Sequence, residues 1–196
     1  MIAPLYAPDL EDLNLWQTQP DIQIGLHFPF ERATKLTQMK MLGPNGAFQL
    51  SIPVKKHKKG SQVSEIEIDY IQKWQNQHWR SLQSCYGRSP YFEYFQEELK
   101  NLFYQSPQYL TDFTVPILVW LCKQYFPVKK ISVILAQNLE TFQPKELLPL
   151  YDKQDKACQE WPLRYTQVFG QEFVSGLSVW DALFCAGPNF GIRKTL

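Results

Sequence analysis

Three stretches of the chain concentrate side chains able to hold ions or move protons. The first is Trp74-xxx-His78-Trp79-Arg80, followed by Cys85-Tyr86-Gly87-Arg88-Ser89-Pro90-Tyr91-Phe92. His78 falls within the apolar series Ile71, Trp74, Leu82 and Cys85, spaced for one face of a helix. Burial there disfavours the imidazolium and leaves a neutral ring that can accept a proton, which is the chemistry of a general base. The other reading of the same position is a core histidine held by a hydrogen bond to a backbone carbonyl. Arg80, two residues on, is a candidate anion contact. Trp74 and Trp79 read as core or cleft walls rather than as platforms for a cofactor.

The second stretch is Lys55-Lys56-His57-Lys58-Lys59-Gly60, with four cations in five positions at the end of an expected strand. Lys55 and Lys56 could grip a phosphate or diphosphate as point charges. The same composition also suits the solvated tip of a hairpin. The third is Leu26-His27-Phe28-Pro29-Phe30-Glu31-Arg32, which places His27, Glu31 and Arg32 near a strand end, where α/β proteins often hold ligands. Polar residues around a proline turn are equally ordinary without a ligand. Asp181 is expected to be a capping carboxylate rather than a catalyst.

The elements that must position these groups follow from periodicity and turn chemistry. Ile22 to His27 is a short β-prone run. Lys40 to Leu42, Gly43-Pro44-Asn45-Gly46 and Ala47 to Val54 read as a hairpin, because Asn and Gly tolerate the positive φ of tight turns. Val63 to Ile68 is expected as a further strand, and Asp69 as the N-cap of the His78 helix. Ser89-Pro90 should open a second helix burying Phe92, Phe95, Leu99 and Leu102. A third, from about 107 to 125, carries Leu110, Phe113, Ile117 and Leu121 inward, with a kink expected at Pro116. Residues 130–135 read as a buried strand, 137–162 as polar and Pro-punctuated with one short helix, and Ser178 as the cap of a last helix, with Asp181 completing a capping box and Gly187-Pro188 closing it. The fold class is therefore α/β or α+β: a mixed sheet in the N-terminal half covered by helices from the C-terminal half.

Composition limits the function classes. The 196 residues fit one domain, 1–196, with no repeat or linker. Twenty basic against 19 acidic residues leave a formal charge of +1, so no broad field draws nucleic acid or an anionic membrane, and anion binding must be local. The run Val115 to Cys122 is too short to cross a bilayer, and the start Met1-Ile2-Ala3-Pro4 has no basic leader, which leads to the expectation of a cytoplasmic protein. Cys85, Cys122, Cys158 and Cys185 are widely spaced and read as free thiols. With three scattered histidines no metal site is expected, and no GxGxxG, Walker A, GxSxG or HExxH motif names a cofactor or a reaction, so the cofactor is left unknown.

Read together, several motifs resemble the WbqC-like proteins of bacteria. They are Asn45-Gly46 with Leu50-Ser51-Ile52-Pro53-Val54, Glu65 to Asp69, Trp74-xxx-His78-Trp79-Arg80, Tyr86, and Ser89-Pro90-Tyr91-Phe92-xx-Phe95. Tyr165-xx-Val168-Phe169 and Leu177-Ser178-Val179-Trp180-Asp181-Ala182-Leu183-Phe184-xx-Gly187-Pro188 look like the family's C-terminal signature. The resemblance implies a cytoplasmic protein tied to O-antigen or other surface-polysaccharide biosynthesis, acting as a transferase on an anionic small molecule such as a nucleotide sugar or amino sugar. His78 would then be the catalytic base, and His27, Arg32, Arg80, Lys55 and Lys56 the ligand-binding set. The alternative is a non-catalytic binding or scaffold protein that recruits a protein partner through its many aromatics. Oligomeric state is not legible. One departure bears on the first reading: where family members carry an Arg-Asn-Arg-like stretch before the hairpin, this chain has Lys35-Leu36-Thr37-Gln38-Met39. Arg32 and Lys35 replace that charge only in part, since lysine lacks the arginine fork.

Overall fold

The computed structural model describes residues 1–134 and 164–190; the expected short helix within 137–162, Leu135 and Cys158 lie outside them. The architecture is α+β, with small sheets in the N-terminal half and helices mostly after them. The expected mixed sheet is divided into two pairs of strands. β1 (Ile22–Gly25) runs parallel to β4 (Ile131–Ile134) in the register Ile22 to Ile131, and β2 (Gln38–Gly43) runs antiparallel to β3 (Gly46–Ser51) in the register Gln38 to Ser51. Both orientations are present, each confined to its own pair.

The hairpin forms where Pro44-Asn45 predicts it, and the positive φ is carried by Gly46 at 104° rather than by Asn45. β4 is a half-exposed rather than a buried strand, with Val133 42% exposed; among the described residues β1 alone pairs with it. The expected strand over Val63–Ile68 divides. Val63–Glu65 is a turn of 3-10 helix, and only then does the chain extend, with Val54 bridging Ile68 on one side and Glu67 bridging Tyr109 on the other. The 3-10 turn forms because Glu65 reaches back to the Gln62 N–H, a local bond that competes with a ladder.

α1 (Leu10–Gln17) is opened by Asp9, whose carboxylate accepts from the Asp12 N–H while Asp12 accepts from the Asp9 N–H. α2 (Trp74–Tyr86) starts four residues later than the Asp69 cap predicts. Asp69 instead accepts from the Ile71 N–H in a turn ahead of the helix, which leaves Ile71 at 90% exposure and outside the apolar stripe. α3 (Phe92–Phe103) likewise starts after Ser89-Pro90, since the Ser89 hydroxyl donates back to the Tyr86 carbonyl at 2.6 Å rather than forward into the helix. α4 (Leu110–Tyr125) runs unbroken through Pro116, and α5 (Val179–Ala186) is buried along Val179 to Phe184. No helix among the described residues is long and apolar enough to cross a membrane. Cys85, Cys122 and Cys185 are free thiols.

One continuous apolar core joins these pieces. Tyr6, Trp74, Trp79, Phe103 and Phe113 pack ring against ring beneath β2, and Trp180 and Phe184 of α5 extend the cluster toward Trp120 and Tyr86. Edge-to-face and offset contacts of this kind add to the burial of the rings themselves.

Candidate functional site

His78 is 1% exposed on the inner face of α2. Its Nδ1 lies 2.8 Å from the Tyr6 hydroxyl, and a backbone hydrogen bond joins the ring to Ser51 at the end of β3. The Ser51 carbonyl takes the ring N–H, so the Tyr6 hydroxyl donates to the bare Nδ1. Desolvation holds the imidazole neutral, with its pKa pushed down to about 4 despite the opposing pull of Ser51. Trp74 and Tyr6 pack on the ring at 5.0 and 5.8 Å. Both nitrogens are therefore spoken for, and the ring lines neither of the two grooves described below. Arg80, two residues along α2, points to solvent.

The second and third stretches converge, which their separation in sequence hides. The Phe30 N–H donates to Ser61 and the Val63 N–H to Phe28, while the imidazole of His27 pairs with the Gln62 side chain. The His57 ring stands edge-on to Phe30 at 4.8 Å, and Gly60 turns the basic run back with φ of 84°. His27 is thereby engaged within the protein. Arg32, Lys55 and Lys56 are exposed. Lys35 is not an available replacement for an arginine. Its ammonium sits 2.6 Å from Asp9 and 2.8 Å from Asp12, tying the turn before β2 to the start of α1.

A groove of about 490 Å³ opens beside the basic run. Its floor is the extended segment 66–69, which is hydrogen-bonded to 53–55 on one side and to 108–110 on the other: Lys55 N–H to Glu67, Asp69 N–H to Pro53, Ile68 N–H to Gln108 and Leu110 N–H to Ile66. Lys55 and Asp69 supply the charges of its lining, Tyr70, Ile71 and Pro107 its apolar wall, and Ser106 and Gln108 its neutral polar groups. The Lys55 ammonium meets the Glu67 carboxylate at 2.7 Å. A second, smaller groove of about 250 Å³ lies between α3 and the end of α5, walled by Tyr91, Tyr94, Phe95 and Pro188 and carrying no charged residue.

Sequence reasoning missed Asp181. It does not cap α5; the Ser178 hydroxyl donates to the Lys40 carbonyl, and the Asp181 carboxylate is fully buried. There it accepts from the Tyr86 hydroxyl at 2.9 Å, the Tyr165 hydroxyl at 2.5 Å and the Gln167 amide at 3.0 Å. Burial and the neighbouring carboxylate drive both phenols well above their ordinary range and push the Cys185 thiol up to about 12. The arrangement joins α2, the 165–167 segment and α5 through three neutral donors. Tyr86 is fully buried and its hydroxyl requires such an acceptor, whereas Tyr165 is half-buried, and no local sequence pattern links either phenol to Asp181. Among the described residues no group of His, Cys, Asp or Glu is placed to hold a metal ion.

Compared with known proteins, residues 26–159 match the model of the WbqC-like protein family, roughly two thirds of the chain. The chain belongs to the WbqC-like family. No curated protein and no solved structure matches it. The matched part of this WbqC-like chain contains the His27 to Arg32 segment, the basic run, the whole 490 Å³ groove and His78. Asp181 and its partner Tyr165 lie beyond the match, as do the stretches read above as the family's C-terminal signature.

Proposed function

We propose that this WbqC-like protein binds a phosphorylated small molecule of the nucleotide-sugar class in the Lys55 groove and acts on it as a transferase in surface-polysaccharide biosynthesis. The observation that supports the reading is that Lys55, the first cation of the basic run, lines a groove whose volume of about 490 Å³ falls in the range of ligand sites, with the exposed Lys56 next to it in the chain. The exposed lysines serve as point charges for phosphate, and Asp69 offers an acceptor to a hydroxyl or amine. The resemblance supplies the reaction class and the biosynthetic setting. His78 acts in this reading as a positioning group: it fixes the end of β3 against α2 and thereby the chain leading from Ser51 to Lys55.

The test is a thermal-shift titration with nucleotide sugars, inorganic pyrophosphate and neutral sugars, run on the native chain and on Lys55→Met. A concentration-dependent rise for the phosphorylated ligands, at least about tenfold weaker in Lys55→Met, is expected. No rise with any phosphorylated ligand overturns the reading. The neutral groove at Tyr91 and Tyr94, the latter 80% exposed, favours a second reading, recruitment of a protein partner through an aromatic surface. That reading gains weight if phosphorylated ligands leave the melting temperature unchanged.

A further inference from the structure

The Lys55 groove is not simply basic. The ammonium of Lys55 is paired with the Glu67 carboxylate at 2.7 Å, and a second carboxylate, Asp69, lines the same groove and acts on Lys55 through its charge. Gln108, another lining residue, adds to the stabilisation of the Glu67 carboxylate that Lys55 provides, and so ties Glu67 to the groove it does not itself line. The backbone fixes this alternation, because Lys55 and Glu67 face each other across the 53–55 and 67–69 pairing. Lys56, Lys58 and Lys59, further along the run, are exposed and make no ion pair among the described residues. A purely anionic ligand lying in the groove would meet the Asp69 carboxylate as well as a Lys55 ammonium whose charge Glu67 already offsets, and like charges brought together without compensation are unfavourable.

Resting on the reading above, we infer that the groove selects a zwitterion, a phosphate ester that also carries a primary ammonium, with the phosphate toward Lys55 and Lys56 and the ammonium between Glu67 and Asp69. A ligand of this kind matches both signs at once and leaves the Lys55 to Glu67 pair exchanged for two new contacts rather than broken. The rings of Tyr70 and Pro107 form an apolar wall on which the carbon skeleton of a sugar can lie. Glu67 is thereby a specificity-determining residue. It holds Lys55 in place in the free protein and, among phosphorylated ligands, favours those that bring a cation.

Calorimetric titration of the full chain with glucosamine 1-phosphate, N-acetylglucosamine 1-phosphate, glucose 1-phosphate and phosphoethanolamine tests this. The amine-bearing sugar phosphate should bind about tenfold or more tightly than its acetylated and hydroxyl counterparts. Glu67→Gln and Asp69→Asn should each reduce that preference, Glu67→Gln by improving the binding of glucose 1-phosphate, and Lys55→Met should weaken all the phosphates. Both carboxylate variants are isosteric and at the surface, and retention of the native melting temperature checks that they fold. Phosphoethanolamine binding near the level of glucosamine 1-phosphate shows recognition of the charge pair alone; weaker binding shows that the sugar ring adds to it. Equal binding of the three sugar phosphates overturns the zwitterion inference while leaving the phosphate site intact. Absence of binding by all four overturns both.

Discussion

At the scale of single residues, His78 and Asp181 are two buried polar groups satisfied in opposite ways. His78 is kept neutral. Its folded-state pKa of about 4 lies below the ordinary value of 6.5, so between these pH values the unfolded chain takes up a proton that the native one refuses. The resulting stability, about 3 kcal/mol, is fully present above pH 6.5 and is lost as the pH falls toward 4. Asp12 has the opposite sign. Burial and the adjacent Asp9 push its carboxyl up to about 6 against the pull of Lys35, so its protonation favours the native state as the pH falls through 6 toward 3.8. In His78→Gln the acid-side loss of melting temperature should shrink, leaving the contribution of Asp12 visible. An unchanged pH profile would mean that His78 titrates as an exposed group. Asp181→Ala should lower stability by about 2 kcal/mol, since it leaves the buried Tyr86 hydroxyl without its acceptor and removes the partner of the half-buried Tyr165 and Gln167. Denaturant unfolding measures it, and a change within about 0.5 kcal/mol would show that water replaces the carboxylate.

At the scale of elements, the sequence was most legible where a period ran long or a turn had one chemical solution. Phe92, Phe95 and Leu99 of α3, and Leu110, Phe113, Ile117 and Leu121 of α4, are buried as their spacing predicts. The hairpin at Pro44-Asn45 is found where its turn residues place it. Boundaries were less legible because one polar side chain had two uses. Asp69 and Ser89 each look like helix caps, and each bonds its own turn instead. Gly187 closes α5 as expected, and the structure adds a reason for its lack of a side chain. Its φ is 85°, and a Cβ there would stand 2.7 Å from the Tyr91 ring. Gly187→Ala should therefore cost about 2 kcal/mol, seen as a fall of roughly 4 to 8 °C in melting temperature. Combining it with Tyr91→Ala should recover part of the loss, and an additive pair would show that the ring is not the obstacle.

At the scale of the whole molecule, the candidate site is assembled from segments that no local pattern connects. The basic run was visible as charge, and the 26–32 segment as polar residues after a strand, but their pairing through Phe28, Phe30, Gln62 and Val63 depends on long-range backbone bonds. The groove adds a third segment, 106–108, reached only because 66–69 bonds to neighbours on both edges. The tertiary fold also separates what the sequence placed together. His78 and Arg80 are two residues apart, yet one is enclosed by Tyr6 and Trp74 and the other is in solvent, since adjacent positions on a helix face different ways. Family membership rests on a match that spans the groove, whereas the buried Asp181 junction outside that match ties the 165–167 segment to α2 and α5. The most direct test of the account is a map of amide chemical-shift changes on titrating the full chain with a nucleotide sugar. The changes are expected to cluster at Lys55, Ile68 to Ile71 and Ser106 to Gln108 and to leave the His78 surroundings unmoved; changes centred on His78 or on the Tyr91 groove, or none at all, would contradict a ligand site in the Lys55 groove.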